Sequence, residues 1–246
     1  MQNTQIEKAI SWNPWHGCHK CSPGCQNCFV FKMDKRYGRD TSIITKGKTT
    51  YELKDRACPS GSLVKLCFSS DFFIAEADEW RDGVWETIRR RNDCIFILTT
   101  KRPERIRQCL PFDWGNGWEN VYMSVSIENQ EMVDKRLPYL LDAPLQHREV
   151  FCSPLIGPIT LGKYLDTGLI RRVNVGGEMA PKDTVRPCQW EWVRDLYLEA
   201  KAHDIEFYFH QTGSMFMRDG VNIGVWKLSE QIARAEEIQY ELERVF

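Results

Sequence analysis

The chain has 246 residues and a formal net charge of −1, with 42% hydrophobic and 27% charged residues. This length supports a core without disulfide staples, and the balanced charge gives no bulk attraction to nucleic acid or to a membrane surface. No apolar run is long enough to span a bilayer and no secretory signal opens the chain, so we expect a cytoplasmic protein with no membrane partner. Ten cysteines in that reducing compartment do not predict a disulfide framework.

The first distinctive segment is a cysteine loop over residues 16–29, which follows a short strand predicted near Ile10–Trp12. The stretch from Trp12 to Cys28 reads WNPWHGCHKCSPGCQNC. Ser22, Pro23 and Gly24 suit a tight turn, because proline presets one backbone angle and glycine permits unusual ones. The four cysteines of this loop are the candidate metal ligands: Cys18, Cys21, Cys25 and Cys28.

Closely spaced thiolates hold either iron–sulfur clusters or structural zinc. Cys21, Cys25 and Cys28 match the Cys-x3-Cys-x2-Cys spacing of radical S-adenosylmethionine (SAM) enzymes, in which three thiolates leave one iron of a [4Fe–4S] cluster open. Ligation by all four thiols would instead close a tetrahedral zinc site. His16 and His19 flank the cysteines and could bind metal as neutral imidazoles, but beside four thiols such histidines are more often neighbours of the metal site or surface residues.

The rest of the chain alternates predicted strands and helices, with a surface excursion or lid over residues 38–62. We predict strands at 63–70, 94–100, 120–127, 148–154, 171–177 and 205–211. Helices are predicted at 29–38, 76–91, 130–141, 188–204 and 228–244. This alternation predicts one α/β domain over residues 1–246, a full or partial (β/α) TIM-type barrel with an N-terminal cysteine-rich metal-binding loop.

In such a barrel the functional groups lie at the carboxyl ends of the strands. Polar residues follow nearly every predicted strand, and we expect them to share one cavity under the cysteine loop. Candidate catalytic residues are Lys101, Glu128 and His210. Candidate cofactor-binding residues are Ser69, Asp71, Ser126, Gly176, Gly177 and Glu178. A further interpretation of these strand ends is that Cys152 acts as a nucleophile with His210 as its base.

Several segments in order resemble the phage-associated three-Cys-motif family, which is related to radical SAM-like barrels. The resemblance covers residues 11–213 and rests on the segments WNPWHGC, SPGCQNCF, SSDFF, LTTKRPERI, VYMSVSIENQE, KRLPYLL, PLIGPI and VGGE. It implies a cluster-bearing barrel and aligns the family's three cysteines with Cys18, Cys25 and Cys28. The chain departs from the family pattern at Phe29, at the segment CSPL and at the segment HQTG, which places Cys152, Ser153 and His210 in the predicted pocket.

These features lead to the interpretation of a radical SAM-like enzyme with a [4Fe–4S] cluster and SAM as cofactors. Reductive cleavage of SAM would start radical chemistry on a substrate that the sequence does not name, with a nucleic acid or nucleotide as a candidate, and would require an electron donor. Gly176 and Gly177 would let the backbone approach SAM, and Glu178 would bind an amine or a ribose hydroxyl.

The alternative is a zinc-stabilised module without catalysis that binds nucleic acid or a partner protein. The basic segments at 88–92 and 100–107, with Trp12, Trp15, Phe29 and Phe31, would form its contact face.

Overall fold

The computed structural model describes residues 9–246. Its strands are β1 (Ala9–Trp12), β2 (Trp15–His16), β3 (Thr45–Lys46), β4 (Leu63–Leu66), β5 (Ile95–Thr100), β6 (Val121–Ser126), β7 (His147–Cys152), β8 (Ile170–Gly176), β9 (Cys188–Gln189), β10 (Glu206–Gln211), β11 (Phe216–Arg218) and β12 (Val221–Asn222). Its helices are α1 (Phe29–Arg36), α2 (Asp78–Arg90), α3 (Gln130–Asp142), α4 (Gly162–Leu165), α5 (Trp190–Ala202) and α6 (Leu228–Val245).

Seven strands form the main parallel sheet, in the order β1-β4-β5-β6-β7-β8-β10. The smaller sheets are the antiparallel pair β2-β3 and the mixed sheet β12-β11-β9. Helices follow most strands of the main sheet in the chain, as expected where parallel strands need crossover connections. This architecture confirms the α/β part of the predicted fold class and is compatible with a partial barrel.

The chain divides into two compact units, and the boundary falls inside the cysteine loop. Unit 1 comprises the residues up to Lys20, Val30–Val125 and Tyr139–His147. Unit 2 comprises Cys21–Phe29, Ser126–Pro138 and Arg148–Phe246. Cys18 therefore belongs to unit 1, and the other three cysteines of the loop belong to unit 2. The single domain predicted from sequence stays a prediction.

Unit 1 is built around β4, β5 and α2. Apolar side chains of β5 such as Phe96 and Leu98 are fully buried, as expected for a strand covered on its faces. In α2, Val84, Trp85 and Ile88 turn to the interior, while acidic residues lie in its first turn and arginines in its last, which complements the helix dipole.

Unit 2 is built around β7, β8 and β10, with α5 and α6 packed on β10. Val150, Val173, Val175 and Phe209 fill its sheet with no exposed surface. One stripe of α6 is buried, including Ala235, Ile238 and Leu242, so the charged C-terminal segment docks by its apolar face.

Most predicted elements are confirmed to within two or three residues, and one strand is shorter than predicted. Strand β4 ends at Leu66 rather than at residue 70, because Cys67 has a positive φ of 57° and the chain turns there. The Ser70 amide then bonds to the Cys67 carbonyl at 2.9 Å. Over residues 9–246 no helix is long and apolar enough to cross a lipid bilayer.

Candidate functional site

In unit 2 the cysteine loop is a compact turn that begins with Cys21. Pro23–Cys25 form a single turn of 3-10 helix, with the Cys25 amide bonded to the Ser22 carbonyl at 3.0 Å. The sequence prediction of a tight turn at Ser22, Pro23 and Gly24 is confirmed. Cys25 is buried, Cys28 is half-buried and Cys21 is exposed, so the turn presents its thiols in three different environments.

The Glu128 carboxylate is hydrogen-bonded to the centre of this turn. Its Oε1 accepts a hydrogen bond from the Gly24 amide at 2.9 Å, and its Oε2 accepts one from Arg136 Nη1 at 2.9 Å. Glu128 is fully buried and Arg136 is 3% exposed, so this is a buried ion pair. A Cβ added at Gly24 would lie 2.9 Å from the Glu128 carboxyl group, which explains why glycine occupies this position.

Glu178 holds the other side of the same turn. Its carboxylate accepts hydrogen bonds from Asn27 Nδ2 at 2.9 Å, from the Arg186 amide at 2.9 Å and from the Arg186 guanidinium. Arg186 Nη1 also donates to the Pro23 carbonyl at 3.0 Å. Burial alone would raise the pKa of Glu178, but the hydrogen bonds from Arg186 and Asn27 outweigh it and lower that pKa below its ordinary value.

The two carboxylates therefore position the turn at the carboxyl ends of parallel strands. Glu128 comes two residues after β6, and Glu178 comes two residues after β8. Arg136 also lies near a thiol of the turn, with Nη2 4.0 Å from Cys21 Sγ. A guanidinium beside a cysteine favours the thiolate, which is the form that binds metal.

The part of the cysteine loop in unit 1 is bonded to the segment after β4. The Gly17 amide donates to the Ser69 carbonyl at 3.1 Å, and the Ser70 hydroxyl donates to the Gly17 carbonyl. Gly17 has a φ of 103°, which a side chain would strain. This part of the loop therefore has an anchor of its own.

Arg102 links this anchor to Cys18. Its guanidinium donates to the His19 carbonyl at 2.8 Å, lies 3.8 Å from Cys18 Sγ and pairs with Asp71 at 3.1 Å. Asp71 also accepts bonds from the Thr100 hydroxyl at 2.7 Å and the Lys101 amide at 2.9 Å. The Asp71 carboxylate thus organises the carboxyl ends of β4 and β5.

The remaining predicted residues have packing or hydrogen-bond partners within unit 2. The His210 ring stacks on Phe151 with centroids 5.1 Å apart, and it occupies the space where a Gly176 side chain would project. The Thr212 carbonyl fills the corresponding space at Gly177. Both glycines therefore allow close packing within the chain itself. Ser126 is buried, and its carbonyl accepts a hydrogen bond from Arg136 at 2.8 Å.

The environments of Cys152 and of the two loop histidines limit what they can do. Cys152 is fully buried, and this burial raises the pKa of its thiol well above the ordinary value. Because the thiolate is the reactive form, Cys152 is a poor nucleophile. His16 pairs with Asp34 at 2.8 Å, and His19 pairs with Glu76 at 2.6 Å. Each histidine therefore has a carboxylate partner, and their place beside a metal site stays a prediction.

The donor chemistry of the loop fits a thiolate-bound metal centre, but the ligands are not gathered around a common point. Within residues 9–246, no group of three or more His, Cys, Asp or Glu side chains is arranged to hold a metal ion. All ten cysteines are thiols in this part of the chain. Metal binding would therefore have to draw the thiolates of the turn together, as metal binding commonly orders its own ligands.

Comparison with known families matches residues 3–235 to the family described as "Protein of unknown function (DUF5131)". The chain belongs to the DUF5131 family. No curated protein and no solved structure matches the chain. The description of the DUF5131 family names no activity or cofactor, so the resemblance to the three-Cys-motif family stays a prediction.

Sequence reasoning found the carboxylates of this DUF5131 protein but missed their arginine partners. Arg136 lies within a predicted helix and in the segment KRLPYLL, and Arg186 lies in a polar connection, but nothing in the sequence marks either as the partner of a carboxylate. Asn27 was also missed, although it lies between two of the cysteines. The predicted residues fall into two groups, one in each unit, and the single cavity that would join them stays a prediction.

Proposed function

We propose that this protein is a radical SAM-like iron–sulfur enzyme whose cluster ligands are Cys21, Cys25 and Cys28. The observation that carries the proposal is the anchoring of their turn by Glu128 and Glu178, each just after a strand of a parallel sheet. Ligand and cofactor sites of parallel α/β folds lie at this end of the strands. A [4Fe–4S] cluster with one open iron would supply reductive cleavage of SAM and radical chemistry on a substrate.

The chain's own residues would prepare the ligands. Glu128 fixes the turn through the Gly24 amide, and Arg186 fixes it through the Pro23 carbonyl while neutralising Glu178. Arg136 lowers the cost of a thiolate at Cys21 through its positive charge. Cys21, Cys25 and Cys28 all belong to unit 2, which favours them over a ligand set that includes Cys18.

The first experiment is metal analysis of anaerobically purified and reconstituted protein. We expect brown protein with iron and sulfide, and loss of both in Cys25→Ala and Cys28→Ala. Cys109→Ala, which removes a buried thiol outside the loop, serves as the matched control and should keep the metal. Full iron content in either loop variant would refute the ligand assignment. Iron loss in Cys18→Ala with iron retention in Cys21→Ala would show that Cys18, and not Cys21, is the third ligand.

SAM binding separates an open cluster from a closed one. Equilibrium dialysis of the reconstituted protein should show SAM uptake that the Cys25→Ala variant lacks. A strong reductant should then release 5′-deoxyadenosine and methionine. A cluster that takes up no SAM would indicate four protein ligands and a role in electron transfer or structure.

The second candidate is structural zinc bound by all four thiols of the loop. The observation in its favour is that each of Cys18 and Cys21 has a guanidinium within 4.0 Å, which suits a thiolate at both positions. Colourless protein with one zinc per chain, and zinc loss in each of the four alanine variants, would favour this candidate. An iron-bearing brown protein would exclude it.

A further inference from the structure

The arginines that the sequence suggested as a nucleic-acid contact face are already paired within unit 1. Each arginine of the segments 88–92 and 100–107 has an aspartate partner within 3.3 Å; these residues are Arg89, Arg90, Arg91, Arg102, Arg105 and Arg107. Charges paired in this way attract a polyanion weakly, because a carboxylate neutralises each one. Nucleic acid recognition would have to use other cations.

Three lysines on the excursion between α1 and β4 have no such partners. Lys46, Lys48 and Lys54 are exposed, and none of them forms an ion pair with a carboxylate of residues 9–246. They line one solvent-open cavity of about 510 Å³, in which Glu52 is the acidic group. The cavity thus carries a net positive charge in a chain whose net charge is −1.

Hydrogen bonds to neighbouring segments hold this lysine surface (Lys46, Lys48 and Lys54) in place. The Trp12 indole donates to the Thr50 carbonyl at 2.8 Å, and the Gly47 amide donates to the Pro14 carbonyl at 2.8 Å. The Tyr51 hydroxyl donates to the Trp80 carbonyl at 2.7 Å, and Lys46 Nζ lies 3.8 Å from the Tyr51 ring centroid. The three ammonium groups therefore project from a segment that is fixed to the fold.

We propose that the lysine surface binds the phosphodiester backbone of nucleic acid. Lysine is a point charge that suits phosphate oxygens, and neutralising several phosphates releases counterions, which supplies sequence-independent affinity. Three ammonium groups around an open cavity suit successive phosphates of a strand better than one enclosed phosphate. This surface lies in unit 1 and needs no metal, so it is independent of the proposed cluster.

The test is fluorescence anisotropy of metal-free protein with a labelled 20-nucleotide oligo(dT). The variant Lys46→Gln/Lys48→Gln/Lys54→Gln should bind at least about tenfold more weakly. The negative slope of log affinity against log salt should become less steep by about 2, since each of the three lost phosphate contacts in a single strand contributes about 0.7. The matched control is Lys182→Gln/Lys201→Gln/Lys227→Gln, which removes the same charge from exposed lysines of unit 2.

The variant Lys46→Arg/Lys48→Arg/Lys54→Arg should retain binding, because it keeps the charge. Oligo(dA) should show the same loss as oligo(dT) in the glutamine variant. Equal affinities of the glutamine variant and its control would overturn the proposal. Binding of ATP as tight as that of the oligonucleotide would overturn the assignment to a nucleic acid backbone. Because all samples are metal-free, neither result bears on the iron content of the cysteine loop.

Discussion

Gly24 has no side chain at the point where the cysteine loop meets Glu128. We predict that Gly24→Ala destabilises the protein and lowers its metal content, because the added Cβ would lie 2.9 Å from the Glu128 carboxyl and displace the turn. Contacts this close in a buried site cost on the order of 1–3 kcal/mol in the free energy of unfolding. Urea unfolding and metal analysis of the variant measure the two effects.

Gly162→Ala is the matched control for this substitution. Gly162 lies in α4, and an added Cβ there would meet no atom within 4 Å. Replacing a helical glycine by alanine at a compatible position is neutral or stabilising, because the unfolded chain loses freedom. If both variants unfolded at the same urea concentration as the parent protein, close approach to Glu128 would not be the reason for glycine at position 24.

Glu178 should make stability depend on pH in the acid range. Burial opposes ionisation, yet hydrogen bonds from Arg186 and Asn27 bring the folded-state pKa of this carboxyl below its ordinary value of 4.5. A lowered folded pKa means that the contribution of Glu178 is complete above pH 4.5 and is lost as the pH falls through the folded value. We therefore expect the stability difference between the parent and Glu178→Gln to shrink in acid.

Urea unfolding at neutral pH and at about pH 3.5 provides the comparison, since the lower value lies below the ordinary pKa of a glutamate. Glu237→Gln, on the exposed side of α6, controls for removal of one carboxylate. A difference between parent and Glu178→Gln that stayed constant over this range would show that Arg186 and Asn27 do not stabilise the ionised form.

Single residues at the site could be predicted only where spacing or strand ends mark them. Cys21, Cys25 and Cys28 stand out by their spacing, and Glu128 and Glu178 by their positions after strands. Their arginine partners carry no local signal, because an ion pair between residues 8 apart in sequence, as in both Glu128–Arg136 and Glu178–Arg186, depends on how the chain folds back. The contacts of His210 and Gly176 likewise depend on how two strands pair.

At the scale of elements, periodic and β-rich segments were predicted well. The strands after Leu63 and the long helices α2, α3, α5 and α6 follow from hydrophobic pattern, because each buries one apolar stripe or a continuous apolar run. Helix α3 was predicted despite Pro138, which its final turns accommodate. The order of strands in the main sheet follows the chain order, as expected when each crossover connects neighbours.

Short elements could not be predicted from the sequence, because they have too few residues to show a hydrophobic periodicity. Strands β9, β11 and β12 have two or three residues each, and β11 is bonded to β12 partly through a side chain, since the Phe216 amide donates to Asn222 Oδ1 at 3.2 Å. The excursion at 38–62 contains little regular structure, and its place is fixed by single hydrogen bonds such as that from Trp12 to Thr50. Such contacts follow from tertiary structure rather than from local propensity.

At the scale of the whole molecule, the ten cysteines separate into two classes by exposure: seven are buried, and three are at least partly exposed. The six outside the loop are buried: Cys58, Cys67, Cys94, Cys109, Cys152 and Cys188. Burial also raises the pKa of several of these thiols, to about 11 for Cys94. Cys25 of the loop is buried too, whereas Cys21 is exposed and Cys18 and Cys28 are half-buried. Access therefore directs a thiol reagent to Cys18, Cys21 and Cys28 of the cysteine loop.

We predict that a disulfide reagent such as Ellman's labels only loop cysteines in the native, metal-free protein, with Cys21 reacting first. In denaturant all ten thiols should react. Loading with iron and sulfide should suppress the rapid phase, because coordinated thiolates are withdrawn from the reagent. Mass spectrometry of labelled peptides assigns each site, and Cys21→Ala should remove the fastest phase. Rapid labelling of Cys152 or Cys188 before the loop would contradict the burial that defines the two classes, whereas unchanged loop labelling after metal loading would argue against these thiols as ligands.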